Sequence, residues 1–326
     1  MIAVVTGGAG FIGSHVVDTM LASGVTVRVL DNFSTGRPEN LDHVRSDIEL
    51  IECDLSEKGS WVNSFEKADF VVHLAALADI VPSIQNPEAY FKSNVQATLN
   101  VLESARQNSI RKLVYSASSS CYGITDITPT PETAPICAEY PYALTKRLGE
   151  ELVMHWHRVY NLPAISLRFF NVYGTRSRTS GTYGAMFGVF LAQKLANEPY
   201  TIVGDGSQTR DFTYVTDVAN AVHAACYSDV SGAIFNVGSG RTVSVNEIAK
   251  KLGGQTVHIP KRPGEPDCTF ADITAIQKML HWSPSIDINR GIELVLENIE
   301  YWKDATVWTP SKIQSATEDW FKFLSK

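Results

Sequence analysis

The chain has 326 residues, 44% hydrophobic and 19% charged, with a formal net charge of −7. That length buries a sizeable core in one large domain or two, and the composition excludes a disordered chain. The acidic balance and the lack of a basic run argue against a nucleic-acid surface, and no apolar run approaches the ~18 residues of a membrane span.

Five cysteines (Cys53, Cys121, Cys137, Cys226 and Cys268) are odd in number and scattered, with no C-x-x-C pair. Neither a zinc knuckle nor a disulfide framework is indicated, and a reducing cytoplasm is expected. The first strand begins at Ile2 without a charged leader, which fits that expectation.

Ile2 to Thr6 reads as a strand, followed by GGAGFIG at Gly7 to Gly13 and an amphipathic helix. Ile12, Val16 and Met20 stripe one face of that helix, Val17 and Leu21 lie beside them, and Gly24 ends it. Strand, glycine turn and helix N-terminus together make a phosphate cradle. Gly7 permits the tight turn, Gly10 lets a pyrophosphate approach the backbone, and Gly13 lets helix and strand pack closely. A packing turn is the alternative, since the spacing is G-x-x-G-x-x-G; the flanking strand and helix favour dinucleotide binding.

The second strand, Val25 to Leu30, ends at Asp31, 18 residues after Gly13. A carboxylate there accepts hydrogen bonds from adenosine ribose hydroxyls and repels a 2′-phosphate, favouring NAD over NADP. The alternative is an aspartate capping the turn before Ser34-Thr35-Gly36, and Arg37 could instead meet a phosphate. A third strand, Glu49 to Glu52, leads to Asp54, placed either to meet the adenine amine or to start a helix. Ala68 to Ala76 reads as a fourth, buried strand whose small final residues leave room for a cofactor. His73 within it reads as a core histidine rather than a catalyst. Pro87 to Gln107 reads as one long helix carrying Asn94, with Val95, Leu99 and Leu102 apolar. This alternation predicts an open parallel sheet with helices on both faces.

The stretch from Tyr115 to Lys146 then gathers YSASSS, the pair Tyr122-Gly123, a loop with Pro129, Pro131 and Pro135, and YALTK at Tyr142 to Lys146. Tyr142 and Lys146 are four apart, hence on one helix face. An ammonium held there favours the phenolate. Bringing a phenol from about 10 to near neutrality takes roughly 3 pKa units, or about 4 kcal/mol, which a buried lysine and an oxidised nicotinamide could supply. The spacing is common; its weight comes from the nucleotide-binding elements upstream.

With GGAGFIG, Asp31, HLAA at His73 to Ala76, the serine run and YALTK in order, the chain resembles the extended short-chain dehydrogenase/reductase family. Within it, the resemblance is to the NAD-dependent nucleotide-sugar epimerases and dehydratases. RFFNVYG at Arg168 to Gly174, GDGSQTRDF at Gly204 to Phe212, VTDVANA at Val215 to Ala221 and RPGEPD at Arg262 to Asp267 extend it to about residue 303. The tail from Asp304 to Lys326, with Trp308 and Trp320, lies outside it and either docks as a final helix or serves a partner subunit.

The resemblance implies an α/β fold: a Rossmann-type doubly wound parallel sheet over 1–175 and a smaller C-terminal α/β substrate-binding part over 176–326, with segments crossing between them. It implies NAD, held first by Gly7, Gly10, Phe11, Ile12 and Gly13, then by Asp31, Asn32, Ser34, Thr35 and Gly36. Asp54 and Leu55, then Leu74, Ala75 and Ala76, continue the cofactor wall. Asn94, Ser116 and Phe169 complete it, with Tyr142 and Lys146 at the nicotinamide ribose.

Ser118, four residues before Tyr122, is implied as the hydroxyl partner of Tyr142, so that Ser118, Tyr142 and Lys146 form the catalytic set. Ser119 and Ser120 stand where 4,6-dehydratases carry an Asp and a Glu. Serine is not a competent acid or base near neutral pH, so dehydration is disfavoured and hydride removal and return at C4 remain. The implied substrate is a nucleoside-diphosphate sugar. Ser118 and Tyr142 would meet the sugar, Asn171 the diphosphate, and Arg210 and Arg262 would clamp it as guanidinium suits; for either arginine alone, a surface ion pair is the bland reading. Ser83 matches a substrate-touching position, and the small Thr269 would tolerate a bulky or N-acetylated sugar. Ala78 stands where one subgroup of 4-epimerases carries a lysine, a departure from the simple galactose-interconverting enzymes.

The expected activity is a nucleotide-sugar 4-epimerase working through a transient 4-keto sugar. The rival is a C4 dehydrogenase that releases the keto sugar. A non-catalytic NAD-binding sensor or scaffold is the reading from another class, and the intact Ser118, Tyr142 and Lys146 argue against it. A homodimer is expected through the helices of Tyr142 and Asn94, with Leu148, Leu152 and Trp156 in the interface or core; no nucleic acid and no membrane is expected as partner. No metal is expected either, because His155 and His157 face apart at i,i+2. Ser244 to Glu247 has capping-box spacing, Tyr183 to Leu195 is expected as a helix over the nucleotide base, and the apolar stripe from Ile292 to Ile299 as core.

Overall fold

Short runs rich in valine and isoleucine, alternating with helical stretches, suit strands buried on both faces of a parallel sheet. The computed structural model describes residues 1–177 and 185–325. Its first half contributes strands β1 (Ile2–Thr6), β2 (Thr26–Asp31), β3 (Ile48–Glu52), β4 (Phe70–His73), β5 (Lys112–Ser118) and β6 (Ala164–Phe169). The second half adds β7 (Val172–Tyr173), β8 (Tyr200–Val203), β9 (Thr209–Arg210), β10 (Thr213–Tyr214), β11 (Ala233–Val237), β12 (Val243–Ser244), β13 (Thr256–Ile259) and β14 (Cys268–Thr269). Seven of them form one sheet in the order β11-β6-β5-β4-β1-β2-β3, all neighbours parallel. Strand order reverses between β1 and β4. In open sheets of this kind the crevice beyond the strand C-termini at that reversal is where ligands bind.

The helices are α1 (Phe11–Ala22), α2 (Ile80–Gln85), α3 (Pro87–Phe91), α4 (Ala97–Gln107), α5 (Pro141–Tyr160), α6 (Met186–Leu195) and α7 (Val215–Tyr227). They are followed by α8 (Val245–Leu252), α9 (Thr274–Leu280), α10 (Ile288–Glu297), α11 (Pro310–Ala316) and α12 (Glu318–Leu324). On one face of the main sheet Val16, Val17 and Met20 of α1 pack with Val218 and Val222 of α7. On the other face Val101 and Leu102 of α4 and Val153 of α5 cover Val71 and Leu113. A third core in the C-terminal half joins Phe187, Phe190, Tyr200, Ile248, Val295 and Trp302. Ile292 is buried in it, and Ser244 accepts from the Glu247 N–H at 3.1 Å to start α8, as the sequence suggests.

Three elements differ from the expectations. The helix from Pro87 is interrupted by a π turn at Lys92–Gln96, which sets Asn94 inward; such insertions recur at sites where a side chain must be re-aimed. β4 stops at His73: the Leu74 N–H is shared between the Thr6 carbonyl and hydroxyl, each at 3.2 Å, and the Ala75 N–H goes to the Thr6 hydroxyl at 3.2 Å. Asp54 starts no helix; its carboxylate accepts from the Ser56 N–H in a turn. Tyr183 lies outside the described residues, and the helix there covers Met186–Leu195.

Candidate active site

A cavity of about 690 Å³ opens at the C-terminal ends of the central strands and runs between the two halves of the chain. At one end the glycine loop is shaped by contacts that admit no side chain. Gly7 has φ +68°, and a Cβ on it would lie 2.7 Å from the Ala75 nitrogen. A Cβ on Gly13 would lie 2.1 Å from the Gly7 carbonyl oxygen. Gly10 caps α1 without any side-chain hydrogen bond, leaving the first N–H groups of the helix to a ligand; that is the arrangement a pyrophosphate occupies.

Asp31 caps the turn that follows β2 and also borders the cavity. Its carboxylate accepts from the Ala9 and Phe33 N–H groups, each at 2.9 Å, pinning the glycine loop to the end of β2. It also lines the cavity beside Asn32, Ser34, Thr35 and Gly36. Burial pushes its pKa up and those N–H groups pull it down. Gly36 is required here, since a Cβ would lie 2.8 Å from the Asp31 carboxylate. Arg37 turns away to the Tyr301 ring, 5.0 Å from its centroid, and to Glu39. Phe11, Ile12, Asp54, Leu55, Leu74, Ala75 and Ala76 line the same end. Glycine loop, uncapped helix and ribose-side carboxylate together fit a dinucleotide.

Two expected contacts are not on the cavity wall. Asn94 is 1% exposed. Its carbonyl oxygen accepts from Leu77 N–H at 2.8 Å, and its amide donates to Leu77 O and Thr145 Oγ1, both at 3.0 Å. Those bonds tie the loop after β4 to α5, so Asn94 braces the part of the cavity wall that carries Leu77. Ser83 is fully buried and donates to the Ile80 carbonyl at 2.6 Å within α2.

The middle of the cavity holds Ser116, Ser118, Tyr142, Lys146 and Phe169. Pro141 at the first turn and apolar positions along one face start α5, which carries Tyr142 and Lys146 toward the end of β5. Lys146 is 4% exposed; its ammonium donates to Ser116 Oγ at 3.4 Å and lies 4.6 Å from the Tyr115 ring centroid. Burial lowers its pKa to about 7, against the opposing pull of Glu150. His73 is satisfied on both ring nitrogens by Thr6 and Thr98 hydroxyls, and burial, then Lys146, lowers its pKa to about 3. It is a core histidine.

The expected depression of Tyr142 by Lys146 is not what the geometry holds. Burial pushes the phenol up, and the hydrogen bond from Ser118 is what opposes it. Sequence reasoning also missed Ser120 as a partner: its hydroxyl donates to Ser118 Oγ at 2.8 Å and its N–H at 3.2 Å. Below this layer Glu150 binds Arg168 through two nitrogens, at 2.9 and 2.7 Å, and accepts from Ser166 at 2.9 Å. Arg168 in turn donates to Tyr122 Oη at 2.7 Å. This buried lattice fixes the face of α5 one turn after Lys146.

The far end is built by the C-terminal half. Thr269 donates to the Asn171 side-chain oxygen at 2.8 Å, so the two expected substrate residues meet. Arg210 and Arg262 both reach Glu265, at 3.0 and 3.3 Å, and all three line the cavity. The ion-pair reading of these arginines holds, and both guanidinium groups face the cavity through that shared carboxylate. Glu265 was overlooked, although it lies in the same RPGEPD motif. His155 and His157 diverge, to Arg158 and to the Leu162 carbonyl. Among the described residues no cluster of metal-ligating side chains exists, and no helix is long and apolar enough to cross a membrane.

Residues 3–238 match the model of the NAD dependent epimerase/dehydratase family. The chain is 36% identical over 308 residues to UDP-glucuronic acid decarboxylase 2 of Arabidopsis thaliana, covering 90% of this chain and 67% of that one. It is 33% identical over 307 residues to UDP-glucose 4-epimerase of Mycolicibacterium smegmatis, covering 91% and 98%. It is similar in structure to UDP-glucose 4-epimerase of Thermotoga maritima, solved with UDP-glucose, at a TM-score of 0.86 and 32% identity, covering 93% and 99%.

Proposed function

The chain belongs to the NAD-dependent epimerase/dehydratase family, and from there we propose that it is a 4-epimerase of UDP-hexoses working through a transient 4-keto sugar. The observation that carries this reading is the pairing of Tyr142 and Ser118 with Ser119 and Ser120, rather than carboxylates, as their neighbours. Dehydration needs an acid for the leaving hydroxyl and a base for the adjacent carbon, and serines supply neither. The UDP-specific part of the reading follows the relatives above, whose substrates carry that nucleotide.

The residues divide the work by position. Bound NAD, along the glycine loop, Asp31 and the β4–α2 loop, supplies a reversible hydride acceptor at C4. Tyr142, as the phenolate that the positive charge of an oxidised nicotinamide bound beside it would favour against burial, takes the proton of the C4 hydroxyl while Ser118, held by Ser120, hydrogen-bonds the same oxygen. Lys146, with its pKa lowered to about 7, is poised to share that proton near neutrality. Arg210 and Arg262 grip the diphosphate, so the sugar can turn while the nucleotide stays anchored. Tyr142 then returns the proton to the oxygen of the inverted centre.

A uronic-acid substrate, as in the decarboxylase relatives, would need a cation at the sugar. Among the described residues the cations lining the cavity are Lys146, Arg210 and Arg262, and both arginines already face Glu265. A neutral hexose suits the site better. We also propose a cytoplasmic homodimer. Pro87, Phe91, Leu144 and Leu148 form an apolar groove across α3 and α5, with Phe91 and Leu144 each 49% exposed.

The test is incubation with UDP-, GDP- and dTDP-sugars, followed by NMR of the products and NADH absorbance. A C4-inverted UDP-hexose without net NADH is expected. Stoichiometric NADH with a keto sugar would instead establish a dehydrogenase, and a pentose from UDP-glucuronate a decarboxylase.

A further inference from the structure

The tail beyond residue 303 lies outside every motif that identified the site, yet Ala305, Thr306, Trp308 and Trp320 line the same cavity. The segment is anchored at several points. Gln193 of α6 donates to the Trp308 carbonyl at 2.6 Å, and Ile313 and Thr317 are 2% exposed. Asp319 accepts from Gln85 of α2 at 2.8 Å. Trp320, 4% exposed, donates its indole N–H to the Pro263 carbonyl at 2.7 Å.

The neighbours of that indole mark out its position. The Arg262 guanidinium lies 5.1 Å from the ring centroid. The Tyr140 ring centroid is 6.4 Å away at a tilt of 46°, and the Tyr140 ring lies nearly parallel to that of Tyr142 at 6.4 Å. Arg262 belongs to the diphosphate end and Tyr142 to the reacting carbon. A hexose joined to the diphosphate and presented to Tyr142 would span the stretch between them, where Trp320 lines the cavity. An indole face packs well against the C–H face of a sugar, because that face is apolar while the hydroxyls point aside.

We propose that the C-terminal segment is part of the substrate site and that Trp320 is a specificity-determining residue, walling the hexose of a nucleoside-diphosphate sugar. The assignment rests on the nucleotide-sugar reading above. The ring also holds Arg262, a second role that a binding measurement separates from the first. Contact with the sugar affects ligands that carry one, whereas support of Arg262 affects every diphosphate.

The experiment is titration calorimetry of the NAD-loaded full-length protein with UDP and with UDP-glucose, for wild type, Trp320→Ala and Trp320→Phe. Bound NAD is quantified after denaturation to show that each variant keeps the nucleotide fold. We expect Trp320→Ala to lose tenfold or more in affinity for UDP-glucose and threefold or less for UDP. Trp320→Phe should recover most of the loss, with NAD content unchanged throughout. Equal losses for UDP and UDP-glucose, or no loss for either, would overturn the sugar-wall assignment and leave the epimerase reading standing. A wild-type protein that binds neither ligand would overturn both.

Discussion

The hydroxyl of Ser120 donates to the hydroxyl of Ser118 at 2.8 Å, so the group that pulls the Tyr142 phenol down is itself held in place by a second serine. The pair fixes which way the Ser118 proton points: with one lone pair occupied, Ser118 is left to donate to the Tyr142 oxygen or to the sugar.

Removing members of this chain should cost activity in graded steps. Tyr142→Phe removes the proton acceptor and should lower kcat by more than ~10³-fold, with the fold and NAD content retained. Ser118→Ala should cost ~10²-fold and Ser120→Ala about tenfold, in line with general acid–base contributions. Steady-state kinetics with the accepted sugar nucleotide checks the ranking; a silent Ser118→Ala would remove the serine from the mechanism.

Lys146 should be a stability burden that depends on pH. Its folded-state pKa is about 7 against an ordinary 10.5. The cost of burying the charge is therefore full below pH 7 and fades as pH rises from about 7 to 10.5. Lys146→Met should stabilise the inactive protein by about 1–3 kcal/mol at pH 6, with the advantage shrinking by pH 9. Denaturant melts at the two pH values measure it, and a constant difference would contradict the burial argument.

Asn94→Ala should behave as a structural lesion. Losing its bonds to Leu77 and Thr145 leaves buried groups unmatched, at about 1–3 kcal/mol. NAD capacity at saturation should remain near one per chain at a temperature where the variant is folded. A selective loss of NAD affinity without a change in melting would restore Asn94 as a cofactor contact.

Arg210→Ala should weaken binding of UDP-sugars by about 10–100-fold, the worth of one or two charge-assisted hydrogen bonds. NAD affinity should not change, because the clamp and the glycine loop lie at opposite ends of the cavity. Leu144→Glu, in the exposed groove of α3 and α5, should shift the molar mass in light scattering from dimer to monomer.

Local patterning reveals the glycine loop, Asp31 and the Tyr142–Lys146 pair because each is specified by neighbours within a few residues. The strand alternation likewise gives the parallel sheet with helices on both faces. What local patterning does not reveal depends on remote partners. The Asn94 amide is held by Thr145, 51 positions away. Glu265 acquires its role from Arg210, 55 positions away, and Trp320 from Pro263, 57 positions away. Burial is invisible for the same reason: the phenol of Tyr142 is raised by walls contributed from both halves, an effect that spacing to a lysine does not contain.

The main sheet takes its outermost strand, β11, from Ala233–Val237, after β7 to β10 have already been traversed. On the ribosome, Asn171 and Arg210 of the cavity wall therefore emerge before the nucleotide-binding sheet can close. Until Val237 leaves the tunnel, β6 waits with an open edge, the kind of surface on which strands of different chains pair in error. Fusions or exchanges joined anywhere between β6 and β11 inherit that exposure. Chimaeras that keep 1–237 from one parent should stay soluble far more often than those cut at the midpoint.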